Sequence, residues 1–145
     1  MNELAKHLIK QHEGLRLEPY MCPAGKLTIG YGRNLEDNGI SKEAAEFLLD
    51  EDLQIAENEI KILCIRNGVD YNNLDEVRQA VLLDMIFNLG MARLGYFKKM
   101  FRALSEGDYY KASAEMLDSL WAAQVKSRAI KLAQMMKDGD LNVAS

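Results

Sequence analysis

The chain has 145 residues, of which 48% are hydrophobic, and a formal net charge of −4. This length corresponds to one domain that buries about 68–70% of the surface of the unfolded chain. No apolar run approaches the roughly 20 residues of a membrane-spanning helix, and no basic cluster interleaved with aromatic residues indicates nucleic-acid binding. The composition therefore predicts a globular protein without stable membrane insertion and without a nucleic-acid partner.

The two cysteines, Cys22 and Cys64, are too few for a disulfide framework. The first residues lack the basic segment followed by an apolar one that marks a secretory signal. We therefore expect reduced thiols in a protein that resides in a cytoplasm. Neither His7 nor His12 has neighbours spaced as metal ligands, so no metal or organic cofactor is expected.

The first predicted element is a helix from about Asn2 to Glu13, with Asn2 as its N-cap and Gly14 just after its end. Two prolines and a turn-forming segment then interrupt helical periodicity, and residues 27–31 are typical of a short strand. The pattern indicates a small antiparallel sheet directly after the helix that ends at Glu13.

Ser41 is the expected N-cap of a long helix that stops near residues 67–68. One apolar stripe runs along it: Ala45, Leu48, Leu49, Leu53, Ala56, Ile60 and Leu63. Asn73 and Glu76 resemble a capping box before a strongly apolar helix that is expected to be central to the core. Shorter helices follow, with predicted buried residues Phe97, Phe101, Leu104, Met116, Leu117, Leu120, Ile130, Ala133 and Met136. The predicted fold class is α+β and mostly helical, with a small antiparallel sheet and a C-terminal helical lobe.

An acid, a thiol and a hydroxyl stand at fixed intervals around the predicted turn. Eight residues separate Glu13 from Cys22, and five separate Cys22 from Thr28. Hydrolysis of a glycosidic bond uses such a pairing, because one group protonates the leaving oxygen while another activates water or attacks the sugar carbon. A carboxylate at a helix C-terminus faces the negative end of the helix dipole, which favours Glu13 as the proton donor.

This spacing, with Thr28-Ile29-Gly30-Tyr31-Gly32, resembles the Glu-x8-Asp/Cys-x5-Thr pattern of the phage-type lysozymes, the endolysins typified by those of T-even bacteriophages. Further segments follow the family's order: Arg78-Gln79-Ala80-Val81-Leu82, Met85-Ile86-Phe87-Asn88-Leu89-Gly90, Ser119-Leu120-Trp121 and Arg128-Ala129. The resemblance covers almost the whole chain. It implies a single two-lobed lysozyme domain over 1–145, with lobes at about 14–60 and 70–145. The first helix would pack on the C-terminal lobe, and the substrate cleft would lie between the lobes.

The resemblance also assigns roles to individual residues. Glu13 would be the general acid, Thr28 would orient the attacking water, and Cys22 would be either the base or the nucleophile. Arg128 would pair with Glu13, which opposes the effect of the helix dipole. Independently of the resemblance, Gly30 and Gly32 would let the backbone of the strand approach a sugar chain closely. Asn34, Phe87 and Asn88 would contact substrate.

Each of these residue types has an ordinary structural use as well. A lone cysteine is commonly a small buried apolar residue, and threonine is a good strand former. Arg128 is equally typical of a helix surface, and Phe87 of a core. Arg33 stands where the family usually has histidine, so an ion pair made by that histidine would be altered.

The function implied by the resemblance is that of a phage endolysin, a muramidase that cleaves the β-1,4 bond between N-acetylmuramic acid and N-acetylglucosamine. Its partner would be bacterial peptidoglycan, and the protein would act as a monomer. It would wait in the host cytoplasm until a holin opens the membrane to the wall or periplasm. The alternative is a catalytically silent lysozyme-like module that binds glycan or a protein, with Cys22 marking decay of the site.

Overall fold

A computed structural model describes residues 1–141 of the chain. Within them the fold is mostly helical with one small antiparallel sheet, which confirms the predicted α+β class. The chain divides into two compact units, of which the first is Met1–Leu48 and the second begins at Leu49. The first unit includes the N-terminal helix. The packing of this helix on the C-terminal lobe, and the cleft between lobes, stay predictions.

Helix α1 spans Glu3–Glu13 and has the ends that the sequence predicts. The Asn2 side chain accepts a hydrogen bond from the backbone N–H of Ala5 at 3.0 Å, as an N-cap does. Gly14, at φ 71°, donates its backbone N–H to the carbonyl of Lys10. The helix therefore stops at Glu13 and leaves that side chain at its C-terminal end.

The sheet contains three strands, β1 (Arg16–Met21), β2 (Leu27–Gly30) and β3 (Arg33–Asn34), in the order β1-β2-β3. Both pairings are antiparallel. The register between β1 and β2 shifts between Arg16 and Tyr20, and Pro19, which has no backbone N–H to donate, lies in this irregular part. The short helix α2 (Leu35–Asn38) follows directly.

Helix α3 spans Lys42–Arg66, with Ser41 accepting a hydrogen bond from the N–H of Ala44 as the predicted N-cap. Its apolar stripe is buried only in the second half of the helix. There Ala56, Ile60, Leu63 and Cys64 are buried, whereas Leu48, Leu49 and Leu53 are exposed. Among residues 1–141, no helix is both long enough and apolar enough to cross a membrane.

The core of the second unit forms around α4 (Glu76–Leu89), where Val81, Leu82 and Met85 are fully enclosed. A 3-10 turn at Tyr71–Asn73 precedes it, and the remaining helices are α5 (Met91–Leu94), α6 (Lys98–Ser105), α7 (Tyr109–Leu117), α8 (Leu120–Val125) and α9 (Ser127–Asp138). Their predicted buried residues Phe101, Leu104, Met116, Ala133 and Met136 are buried, and Phe97 packs at the edge of the core.

Two details of this unit differ from the sequence predictions. The predicted capping box is wrong, because Asp75 caps α4 by accepting the N–H of Arg78 and Asn73 belongs to the preceding turn. Leu117, Leu120 and Ile130 are exposed rather than buried. Helical periodicity identifies a face, but the neighbouring helices decide how far along that face the core extends.

Arg78 joins the start of α4 to the end of α9. Its guanidinium donates to the carbonyls of Met136 at 2.6 Å and Lys137 at 2.8 Å, and it pairs with Asp75 at 2.9 Å. It also lies 3.6 Å from the ring centre of Tyr109. These contacts satisfy carbonyl groups that a helix C-terminus leaves without a partner.

We expect Arg78→Lys to lower the free energy of unfolding by about 2 kcal/mol, because an ammonium cannot reproduce the planar fork that reaches two carbonyls and stacks on a ring. Urea unfolding followed by circular dichroism measures the change. The exposed Arg102→Lys is the matched control, and it should stay within about 0.5 kcal/mol of the wild type. Equal stability of the two variants would contradict this role of Arg78.

Candidate active site

Cys22 lies at the start of the turn between β1 and β2, where backbone hydrogen bonds fix its position. Its N–H donates to the carbonyl of Lys26 at 2.9 Å, and its own carbonyl accepts from the N–H of Gly25 at 2.8 Å. Gly25 has φ 78°, a conformation that glycine adopts without steric cost. The predicted helix-breaking turn thus holds Cys22 opposite Lys26.

The surroundings of the Cys22 thiol favour its ionised form. Hydrogen bonding from the backbone of Lys26 is the largest effect and lowers the pKa of Cys22 below its ordinary value. Partial desolvation opposes this shift, while the backbone of Ala24 adds to it. A thiolate is the form of cysteine that acts as a nucleophile, and it is also the form that accepts a proton. The site therefore increases the reactive fraction of a half-exposed thiol.

Thr28 is only 3% exposed, and its hydroxyl donates to the carbonyl of Lys26 at 2.8 Å. The same carbonyl also accepts the N–H of Cys22. A hydroxyl carries one proton and two acceptor lone pairs. While that proton is held by Lys26, the lone pairs of Thr28 can accept a hydrogen bond from a water molecule.

Glu13 contacts the turn between β2 and β3 at the opposite end of β2. A Cβ atom placed on Gly32 would lie 2.7 Å from Oε2 of Glu13 and 2.9 Å from its carboxyl carbon. The Glu13 carboxyl group therefore rests directly on the Cα of Gly32. Thr28 is the residue of β2 near Cys22, and Gly32 is the residue that Glu13 contacts. Because they are four positions apart, their Cα atoms are separated by at most about 14 Å.

The side chain of Lys26 links the turn between β1 and β2 to helix α2, which follows β3. Its ammonium lies 3.5 Å from Glu36 and 3.3 Å from Asp37, and Glu36 also accepts the N–H of Leu27 at 3.4 Å. These are exposed ion pairs, which individually contribute about 0–1 kcal/mol. Sequence reasoning missed this link, because residues ten and eleven positions apart share no helical or strand periodicity.

Three further residues of the first unit, Asn34, Gly30 and Arg33, belong to the sequence predictions. Asn34 caps α2, since its side chain accepts the N–H of Asp37 and donates to the Asp37 carboxylate, both at 3.0 Å. Its predicted contact with substrate stays a prediction. Gly30 has φ 70° and open space where a Cβ would lie, which is compatible with the close approach of a ligand. Arg33 donates to the carbonyl of Gly39 at 3.0 Å.

In the second unit, the partner of Arg128 in the structure is Asp84. The guanidinium contacts the Asp84 carboxylate through Nε at 2.8 Å and through Nη2 at 2.6 Å. Asp84 was not among the predicted site residues. It lies 44 positions before Arg128 in the chain, and no sequence pattern relates residues so far apart. The pairing of Arg128 with Glu13, which belongs to the first unit, stays a prediction.

Phe87 and Asn88 are adjacent in sequence but have different surroundings. Phe87 is 48% exposed, so it is not a core residue, and it lines a cavity of about 310 Å³ together with Leu49, Leu53, Asp84 and Arg128. Asn88 instead accepts the indole N–H of the buried Trp121 at 2.7 Å. The structure thus brings Phe87 and Arg128 to one cavity, and it gives Asn88 a role in satisfying a buried donor.

The two cysteines should differ sharply in reactivity. Cys64 is buried, and desolvation raises its pKa to about 11, whereas the pKa of the half-exposed Cys22 is lowered. We expect iodoacetamide to alkylate Cys22 in the native protein and to leave Cys64 unmodified, as peptide mass mapping would show. Cys22→Ser should take up no label until urea exposes Cys64. Labelling of Cys64 before Cys22 would contradict the assignment.

Comparison with known proteins identifies relatives along most of the chain. The family model for phage lysozyme matches residues 10–135. Probable T4-type lysozyme 2 of Dictyostelium discoideum is 26% identical, with 94% of this chain and 95% of the relative covered. An endolysin of Acyrthosiphon pisum secondary endosymbiont phage 1 is 33% identical, with 90% and 86% covered. The pre-baseplate central spike protein Gp5 of Enterobacteria phage T4 is 28% identical, with 92% of this chain but 28% of the relative covered.

Proposed function

The chain belongs to the phage lysozyme family, and from that premise we propose that it is a muramidase acting on bacterial peptidoglycan. The bond cleaved is the β-1,4 bond between N-acetylmuramic acid and N-acetylglucosamine. The observation that carries the proposal is the placement of an acid, Glu13 on Gly32, and of an activated thiol, Cys22 beside Thr28, at the two ends of one strand.

The chemistry follows from the ionisable groups. Glu13 gives its proton to the glycosidic oxygen as the bond from that oxygen to the sugar C1 breaks, which leaves positive charge on the sugar. The Cys22 thiolate then acts in one of two ways. As a base it removes a proton from a water that attacks C1 from the opposite face, giving inversion. As a nucleophile it bonds to C1 directly, and a water that gives its proton to the Glu13 carboxylate later displaces it, giving retention.

Thr28 contributes by holding the water. Its hydroxyl proton is donated to the backbone carbonyl of Lys26, so the Thr28 oxygen accepts a hydrogen bond from the water. The second proton of the water then stays available for transfer. In the base mechanism that second proton passes to Cys22. The nearness of the two residues supports this transfer, because the carbonyl of Lys26 accepts hydrogen bonds from both the Thr28 hydroxyl and the Cys22 N–H.

We further propose that the protein is an endolysin used for host lysis. The endolysin relative, which is covered over 86% of its length, supports this role. In this role the protein accumulates as a monomer in the host cytoplasm and reaches the wall or periplasm after a holin permeabilises the membrane. The relatives also include two probable T4-type lysozymes of Dictyostelium discoideum, which is not a phage.

The proposal is tested by turbidity loss of Gram-negative cells whose outer membrane has been removed, followed by mass spectrometry of the released fragments. A muramidase leaves N-acetylmuramic acid at the new reducing ends. Fragments ending in N-acetylglucosamine would contradict the assigned bond. Binding to purified peptidoglycan without release of fragments would instead identify the catalytically silent module.

A further inference from the structure

Gly32 has two properties that the other glycines of the first unit do not combine. It adopts φ 78°, and the space beside its Cα is filled by another residue. Gly14, Gly25, Gly30 and Gly39 also have positive φ, but nothing lies within 4 Å of the position that a Cβ would take. A positive φ alone therefore explains why glycine stands at those four positions. At Gly32 the occupied space beside the Cα is a second reason for glycine.

The atoms that fill this space belong to a single side chain. Oε2, Cδ and Cγ of Glu13 lie 2.7, 2.9 and 3.3 Å from the virtual Cβ. The first two distances are shorter than real Cβ contacts. An alanine at residue 32 would therefore clash with the Glu13 carboxyl group where it now lies. Because Glu13 is exposed and its side chain is flexible, the carboxyl group would move and the backbone would stay.

A second contact holds the same part of α1 against the same turn. The ammonium of Lys10 lies 5.2 Å from the ring centre of Tyr31, within the range of a cation–π contact. Lys10 and Glu13 are three residues apart on α1 and therefore lie on one side of the helix. They contact the consecutive residues Tyr31 and Gly32, so the helix end and the turn meet at two adjacent points.

From this geometry we propose that Gly32 is a positioning residue for the general acid. Because Gly32 has no side chain, the Glu13 carboxyl group packs directly against its backbone, and we call this space beside the Gly32 Cα the seat. The contact between Lys10 and Tyr31 holds the end of α1 next to the seat. The inference rests on the proposed function, because the seat matters for catalysis only if Glu13 donates the proton. Catalytic groups must be held within about 0.5 Å of their productive position, and the seat supplies that restraint from a backbone atom.

The test compares Gly32→Ala with Gly68→Ala. Gly68 has φ 70° and no atom within 4 Å of its virtual Cβ, so its substitution reports the strain of a positive φ alone. We expect both variants to lose thermal stability, and Gly32→Ala to lose the more, because it also displaces the Glu13 carboxyl group. Only Gly32→Ala should also lose about 100-fold in kcat, the scale expected for a misplacement of about 1 Å, while KM for solubilised peptidoglycan changes less than twofold.

The 13C chemical shift of the Glu13 carboxyl carbon provides a readout that does not depend on activity. With the signal assigned by its loss in Glu13→Gln, we expect the shift to change in Gly32→Ala and to remain constant in Gly68→Ala. A constant shift in both variants, with activity losses that only follow stability, would overturn the proposal. If the wild type releases no fragments, the proposed function fails, and the carboxyl signal still decides whether Gly32 seats Glu13.

The double variant Glu13→Ala/Gly32→Ala covers the case in which Gly32→Ala does not fold. Removing the Glu13 side chain removes the steric conflict and leaves only the strain of the positive φ. We therefore expect Gly32→Ala to cost less thermal stability in the Glu13→Ala background than in the wild type. Equal losses in both backgrounds would show that the two residues are not in contact and would overturn the proposal.

Discussion

Glu13→Gln is expected to lower kcat/KM for peptidoglycan by about a thousandfold, within the range of 10²–10⁴ that general acid catalysis contributes. Glutamine preserves the shape of the side chain and fills the same space against Gly32. An amide does not give up a proton to a departing sugar oxygen. The loss therefore falls on the chemical step, with little change in fold or in binding of the glycan.

The measurement is a turbidity assay with purified protein, accompanied by circular dichroism and thermal unfolding. Glu18→Gln is the matched control, because Glu18 is an exposed carboxylate of the same unit on β1. It should retain wild-type activity within about twofold. If Glu13→Gln kept more than a tenth of the wild-type activity while folded, Glu13 would not be the acid.

The second large effect is expected at Cys22. Cys22→Ser should lose most of the activity, because a serine hydroxyl does not ionise near neutral pH and, when neutral, is a far weaker base than a thiolate. If Cys22 is a base, Cys22→Asp should retain or raise activity, because aspartate is ionised at pH 7 and the family pattern admits Asp here. Cys64→Ser, at the buried cysteine of α3, controls for a general effect of losing a thiol.

The pH profile identifies which group must be ionised. A base or nucleophile works in its deprotonated form, so activity rises with pH through its pKa. For the wild type this rising limb reports Cys22, whose pKa lies below its ordinary value because the Lys26 backbone stabilises the thiolate. In Cys22→Asp the limb should move down by several pH units, toward the reference value of about 3.9. A limb that stays in place would show that another group titrates.

The anomeric form of the first product separates the two roles left open for Cys22. Proton NMR of a short glycan during the reaction would show inversion for a water-activating base and retention for a nucleophile. Activity of Cys22→Ser equal to the wild type at every pH would make Cys22 a packing residue. In that case the water would have to be activated by another group.

Features with a local physical cause were predictable from the sequence. Asn2 and Ser41 were recognised as N-caps because a side-chain oxygen satisfies N–H groups only a few residues away. The end of α1 at Glu13 followed from Gly14, a residue that readily adopts the positive φ found just after a helix end. The candidate acid, thiol and hydroxyl were identified because their spacing resembles the Glu-x8-Asp/Cys-x5-Thr pattern of the family. The wrong capping box arose because Asp75 competes with Asn73 two residues away, and both are good caps.

Contacts between distant parts of the chain were not predictable in this way. The sequence by itself determined the fold class and the ends of α1, because periodicity and capping act between residues close together along the chain, and it supplied the candidate acid and thiol through the resemblance to the family's pattern. Only the tertiary structure decided that Glu13 rests on Gly32, that Lys26 contacts both Cys22 and Thr28, and that Arg128 pairs with Asp84. These depend on how turns and helices pack, and neither periodicity nor capping propensity encodes the distance between two surfaces that meet only after folding.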